Sequence, residues 1–251
     1  YKLKGAKKQA PPEWTITKKF IVLYGIAKGM SYVHKFDIMH RDLKPDNILL
    51  NENYEPKIAD FGFSKFADSE SAVLHTMQIG TILYEAPEVI LYDTYNTKVD
   101  VYSFAIIACY MFSGKVPHEN EKQMDVLINI EKADRDESLL EGMPTGVQAL
   151  IEACWDQEPN NRPTFDIIVE QLALKEFFDD VPDLDFDEYF EYVNRLENYN
   201  PDEQQDTEDS ASISEEIEEP STSENLPTTE EPKEVASNIS QIATNQDFEI
   251  L

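Results

Sequence analysis

The densest run of chemically versatile side chains is His40-Arg41-Asp42-Leu43-Lys44-Pro45-Asp46-Asn47, which puts two carboxylates, a lysine cation and a carboxamide within eight residues. Oxygen ligands of the Asp and Asn type bind hard divalent cations such as Mg2+, and a Lys ammonium neutralises charge that develops on a transferred phosphoryl group. Taken alone, such a run also fits a plain polar loop. Thirteen residues beyond Asn47 comes Asp60-Phe61-Gly62, whose carboxylate could complete a metal site.

The elements that must position these groups are legible from periodicity. From Thr17 to Phe36 the apolar residues Phe20, Leu23, Tyr24, Ala27, Met30 and Val33 recur at helical spacing, which predicts one amphipathic helix. Gly25 and Gly29 within it mark a place of close packing. Asn47–Leu50 and Pro56–Ala59 are short apolar-rich runs bounded by Asn, Asp and Glu, and read as two strands joined by a turn at Asn51 to Asn53. Asp60 would then lie at the end of the second strand. From Asp100 to Ser113 the sequence is apolar on nearly every face, predicting a buried central helix stopped by Gly114. Amphipathic segments follow at Gln123–Ile130, Gly146–Trp155 and Thr164–Leu174. The expected class is mainly α with a few short strands.

The chain has 251 residues and a formal net charge of −29, spread very unevenly. Tyr1 to Lys175 carries 26 acidic and 19 basic residues, whereas Glu176 to Leu251 carries 24 acidic and 2 basic. A surface of this sign repels phosphate, so nucleic acid and anionic membranes are not expected partners. The longest apolar stretch, around Phe104 to Phe112, is far short of the about 20 residues that span a bilayer. Cys109 and Cys154 cannot form a disulfide framework and have no His or Cys at metal-ligand spacing, which fits a reducing, cytoplasmic setting. The expected division is a domain over 1–175, an acidic amphipathic segment over 176–200 and a disordered acidic Ser/Thr/Glu/Pro-rich tail over 201–251. In the middle segment Phe186, Tyr189, Phe190, Val193 and Leu196 share a helical face, read as a short helix packed back on the domain, with a docking motif for a partner as the alternative.

HRDLKPDN at 40–47, followed by DFG at 60–62 in strand context, resembles the catalytic loop and metal-binding loop of eukaryotic protein kinases. Further motifs match in order. Gly80-Thr81 and Ala86-Pro87-Glu88 resemble the end of an activation segment, Asp100 to Ala105 the start of the buried central helix, and Arg162 stands where the family pairs an Arg with the Glu of its APE motif. Cys154-Trp155, Pro159 and Arg162-Pro163-Thr164-Phe165 resemble the ending shared by tyrosine kinases and tyrosine-kinase-like Ser/Thr kinases. Lys44, two positions after Asp42, together with Thr81, matches the Ser/Thr pattern.

The resemblance implies a protein-kinase-like fold and transfer of the ATP γ-phosphate to Ser/Thr hydroxyls of protein substrates in signal transduction. Asp42 would orient the acceptor hydroxyl and take its proton, Lys44 would steady the γ-phosphate, Asn47 and Asp60 would hold Mg2+, and Leu49 would pack under the adenine. His40 and Phe61 would pack inward beside Gly62, Asp100 would fix the catalytic-loop backbone, and Glu88 with Arg162 would form a buried ion pair. Arg41 would receive a phosphate placed on the activation segment, with Ser69, Ser71 and Thr76 as candidate acceptors.

The pattern departs from the family at Ile82, where Pro is common, at Glu85, where Met is common, and at Tyr102 and Ala105, where Trp and Gly are usual. Peptide selection next to the acceptor is therefore open. No G-x-G-x-x-G precedes Asp42 and the resemblance covers the helical C-lobe only, so the expectation is a fragment that begins past the hinge and lacks the N-lobe. Such a piece would bind Mg-ATP poorly by itself. A shortened, catalytically inactive kinase-like binding module is the alternative reading. Partners of the acidic tail are not specified by its residues.

Overall fold

Thr15 opens the first helix from an extended backbone, its side chain accepting the Lys18 N–H at 3.3 Å, as an N-cap residue does. The computed structural model describes residue 3 and residues 14–66, 82–91 and 95–199. In chain order these form α1 (Ile16–His34), β1 (Ile38–Met39), β2 (Ile48–Leu50), β3 (Pro56–Ile58), β4 (Lys65–Phe66), α2 (Pro87–Leu91), α3 (Lys98–Ser113), α4 (Gln123–Glu131), α5 (Thr145–Cys154), α6 (Phe165–Leu172) and α7 (Phe186–Glu197). Single 3-10 turns at Pro45–Asn47, Phe61–Phe63 and Ile82–Tyr84 shape the connections used below.

The strands form two separate antiparallel pairs, β1 with β4 and β2 with β3. β2 and β3 correspond to the hairpin expected from the sequence, except that Asn47 belongs to the preceding 3-10 turn and Ala59 lies just past the end of β3. β1 and β4 were not anticipated, because two-residue strands carry no alternation that a pattern could reveal.

The core is built around α3, in which every residue from Val99 to Met111 is buried. Gly114 ends it in the left-handed region at φ 75°, donating its N–H to the Tyr110 carbonyl at 2.9 Å, a helix stop that glycine adopts without a Cβ clash. α5 and α1 pack on it.

α1 differs from the amphipathic reading: Phe20 through Ala27 are all buried. α6, β3 and α7 all pack on it, and α7 is capped by Asp185, whose side chain accepts the Glu188 N–H at 3.0 Å. Lys18 and Lys28 of α1, which made the helix look two-faced, pair with Glu188 at 2.5 Å and Glu197 at 2.7 Å of α7. Tyr189, Tyr192 and Val193 are the buried α7 residues, and Phe186 of the expected apolar face is exposed. The Tyr189 hydroxyl donates to the Leu172 carbonyl at 2.8 Å, tying α7 to the end of α6. Gly25 lies where α1 meets α7 and β3: a Cβ there would sit 2.3 Å from the Tyr192 hydroxyl and 2.4 Å from Pro56 Cγ. Phe178 completes this layer, its ring centroid 5.0 Å from those of both Phe20 and Tyr189.

No helix among the described residues is long and apolar enough to cross a membrane. Cys109 and Cys154 are buried, unbonded core residues; burial pushes the Cys109 thiol up to about 11 and moves Cys154 in the same direction. Ser69, Ser71, Thr76, Thr81 and the 201–251 tail lie outside the described residues.

Candidate active site

The β2–β3 hairpin brings the two chemical motifs together. Asn51 closes its turn, the side-chain oxygen accepting the N–H groups of Asn53 and Glu55, each at 2.9 Å. Ile48 pairs with Ile58 and Leu50 with Pro56, and the Ala59 N–H donates to the Asn47 carbonyl at 2.9 Å just beyond the strands. Asn47 at one strand's entrance and Asp60 at the other's exit thus become neighbours despite their separation in sequence.

Asp42, only 7% exposed, is gripped from two sides. Lys44 Nζ lies 2.7 Å from each of its carboxylate oxygens. Asn47 Nδ2 donates to the Asp42 carbonyl at 2.8 Å and to its Oδ2 at 2.9 Å. That commits the Asn47 amide nitrogen to Asp42 and leaves its oxygen as the cation-binding end.

The loop bearing Asp42 is fastened by a wholly buried carboxylate. Asp100 accepts the backbone N–H groups of His40 and Arg41, each at 2.9 Å, and faces His34 Nε2 at 2.9 Å. Burial alone would raise the Asp100 pKa. The hydrogen bond and charge of His34, the charge of His40 and the Arg41 N–H outweigh burial and hold it below the ordinary Asp value. Two donated N–H groups fix the backbone on both sides of one peptide, which accommodates Arg41 in the left-handed region at φ 69°.

His40 is fully buried and faces Asp100, Asp42 and Asp60. Its Nε2 lies 3.1 Å from the Ala59 carbonyl, so that nitrogen carries the proton, while Nδ1 accepts the Asp42 N–H at 3.3 Å. Its ring packs on Phe61 with centroids 4.7 Å apart. Desolvation pushes its pKa down, against the opposing pull of the carboxylates. With both nitrogens committed to the backbone, His40 is a positioning residue.

Asp60 is exposed and adopts φ 65° and ψ 66°, a conformation that Asp tolerates because its short side chain bonds locally, here to the Gly62 N–H at 3.4 Å. Gly62 is exposed beside it. Leu49 is half-buried between the buried Ile48 and Leu50, so strand alternation turns it to the opposite face of the hairpin. The Arg41 guanidinium donates to the Tyr95 hydroxyl and lies 5.4 Å from that ring's centroid.

The segment facing this loop is pinned by a buried ion pair. Arg162, 1% exposed, clamps Glu88 with Nη1–Oε1 at 2.6 Å and Nη2–Oε2 at 2.9 Å, and donates to the carbonyls of Asp156 at 2.8 Å and Lys98 at 3.0 Å. Ser103 Oγ of α3 donates to the Tyr84 carbonyl at 2.7 Å, a second anchor for the same segment.

The donor set suits Mg2+. An Asp carboxylate and an Asn amide oxygen are hard oxygen ligands. That matches an ion bound by one or two protein oxygens and completed by phosphate oxygens.

Residues 7–178 match the protein kinase domain family. The chain belongs to that family. It is similar to the RGS domain-containing serine/threonine-protein kinase A of Dictyostelium discoideum, 41% identical over 148 residues that cover 59% of this chain and 13% of that protein. It is similar as well to two Arabidopsis thaliana proteins. Serine/threonine-protein kinase 12 is 38% identical, with 59% of this chain and 33% of that one covered. Serine/threonine-protein kinase STY46 is 35% identical, with 61% and 26% covered. The chain therefore spans no more than about a third of the length of these relatives.

His34, which faces Asp100, and Tyr95, which contacts Arg41, were not anticipated from the sequence. His34 could have been found, since it falls on the helical face continuing from Met30 and Ile26. Tyr95, the partner of Arg41, carries no local signal. Glu85 drew attention only as a departure from the family pattern. It is 9% exposed and sits beside Asp42 and Lys44.

Proposed function

We propose that the protein is a Ser/Thr protein kinase of the tyrosine-kinase-like group, acting in cytoplasmic signal transduction. It would transfer the γ-phosphate of ATP to Ser and Thr hydroxyls of protein substrates. Residues 1–175 are read as the helical lobe of its catalytic domain, with the 176–200 segment packed against it through α7. The observation that carries the reading is the Asp42 carboxylate held between Lys44 Nζ and the Asn47 amide.

Asp42 would accept the hydrogen bond of the acceptor hydroxyl, orient its lone pair and receive its proton. Because Lys44 Nζ touches the same carboxylate, an acceptor at Asp42 lies next to a cation suited to the transferred phosphoryl group. Mg2+ held by the Asn47 oxygen and the Asp60 carboxylate would neutralise the triphosphate. The buried Asp100 and His40 keep the loop from relaxing, so the geometry exists before substrate arrives.

The test is phosphate transfer from γ-labelled ATP by the full-length protein, followed by phosphoamino-acid analysis. Phosphoserine and phosphothreonine are expected, with kcat lower by about 10²–10⁴-fold in Asp42→Asn, the range for loss of a positioned base. Transfer unaffected by Asp42→Asn, or confined to tyrosine, overturns the reading.

A further inference from the structure

Glu85 is a buried carboxylate that the proposed chemistry does not use. It is 9% exposed, and among the described residues no hydrogen bond or ion pair engages its side chain. Burial pushes its pKa up, the neighbouring Asp42 carboxylate adds to this, and Lys44 pulls the other way. Lys44 gives its ammonium to both Asp42 oxygens at 2.7 Å, and among the described residues neither an ion pair nor a hydrogen bond joins it to Glu85.

The backbone around Glu85 is fixed. One residue earlier the Tyr84 carbonyl is held by Ser103, three residues later Glu88 is clamped by Arg162, and the Glu85 N–H itself donates to the Ile82 carbonyl at 3.3 Å. The backbone position of Glu85 is therefore set by its neighbours, close to the Asp42–Lys44 pair. An uncompensated, largely desolvated carboxylate is costly, and a cation brought by a ligand relieves that cost. Asp42 and Lys44 both act on Glu85 through their charges, and among these three groups the balance is one negative charge in excess.

We propose that Glu85 selects a lysine or arginine side chain close to the Ser/Thr acceptor in the protein substrate. The inference rests on the transferase reading above, in which the acceptor hydroxyl meets Asp42, so that a side chain flanking the acceptor meets Glu85. A cation there gains a charge-assisted hydrogen bond, whereas an acidic residue faces two carboxylates.

The experiment uses full-length protein and serine peptides carrying Lys, Arg, Gln or Glu at each flanking position, with kcat/KM measured for each. At one flanking position the basic-to-Gln ratio is expected to be at least about tenfold, the size of one charge-assisted hydrogen bond. In Glu85→Gln that ratio should fall towards one, and in Glu85→Lys it should invert in favour of Glu peptides. Because the readout is a ratio within one variant, partial loss of folded enzyme does not mimic it. Transfer by the unaltered protein with no basic preference at any position overturns this proposal alone. So does a basic preference that survives Glu85→Gln. No transfer to any peptide overturns the transferase reading and this proposal with it.

Discussion

Replacing Arg162 by Met should be among the most destabilising single changes in this fold. The substitution keeps an unbranched apolar stem and deletes the guanidinium. Glu88, 5% exposed, then loses two hydrogen bonds of 2.6 and 2.9 Å, and the Asp156 and Lys98 carbonyls lose donors at 2.8 and 3.0 Å. Stranding one half of a buried pair costs about 3–5 kcal/mol, and orphaned carbonyl acceptors push towards the upper end. At roughly 2–4 °C per kcal/mol for a chain of this size, Tm should fall by about 10 °C or more. Urea denaturation of Arg162→Met, Glu88→Leu and the double variant supplies a cycle. The double variant should be more stable than the sum of the single costs implies, by about 1 kcal/mol or more, because neither charge is left alone. A cost below about 1 kcal/mol for Arg162→Met, or strict additivity within about 0.5 kcal/mol, would refute the assignment of this pair as the anchor of the 82–91 segment.

Gly25→Ala should cost about 1–3 kcal/mol in urea denaturation, since its Cβ would meet the Tyr192 hydroxyl at 2.3 Å and Pro56 at 2.4 Å; an unchanged midpoint would show that α7 does not seat there. A chain ending after Lys175 loses buried Phe178, Tyr189, Tyr192 and Val193, together worth at most about 6–12 kcal/mol, comparable with the whole stability of a domain. It should fail to give a cooperative transition, whereas a chain ending after Tyr199 should melt like the full protein; equal melting of both would refute the packing argument. Acid should destabilise the fold in two stages. His40 has a lowered folded pKa, so its contribution is complete above about pH 6.5 and is lost as pH falls below it; the lowered Asp100 carboxyl adds a second loss below about pH 4. Urea midpoints measured against pH should show both stages, and His40→Gln should flatten the first; a slope that persists unchanged in that variant would assign it to other groups.

Much of the chemistry was legible in order and spacing. Asp42, Lys44 and Asn47 are separated by so few residues that any tight loop brings them together, and the two apolar runs bounded by turn residues forced Asp60 back towards Asn47. α3 announced itself as buried because its apolar residues occupy every face, and Gly114 marked its end. Local order determines such features, because hydrogen-bonding reach and strand pairing over a short turn leave few alternatives.

Other features depended on contacts far apart in the chain. The lysines of α1 made that helix look amphipathic, and only the packing of α6, β3 and α7, with acidic residues of α7 about 170 positions later pairing with those lysines, covers it. His34 and His40 converge on Asp100 only because α1 and the 40–47 loop both pack against the start of α3. Glu85 stands out in sequence only as a departure from the family pattern, with no sign that it is buried. Its burial beside Asp42, without a partner among the described residues, arises from the anchoring of its segment by Ser103 and Arg162. Electrostatic environment is a property of what surrounds a charge in three dimensions, and linear order does not contain it.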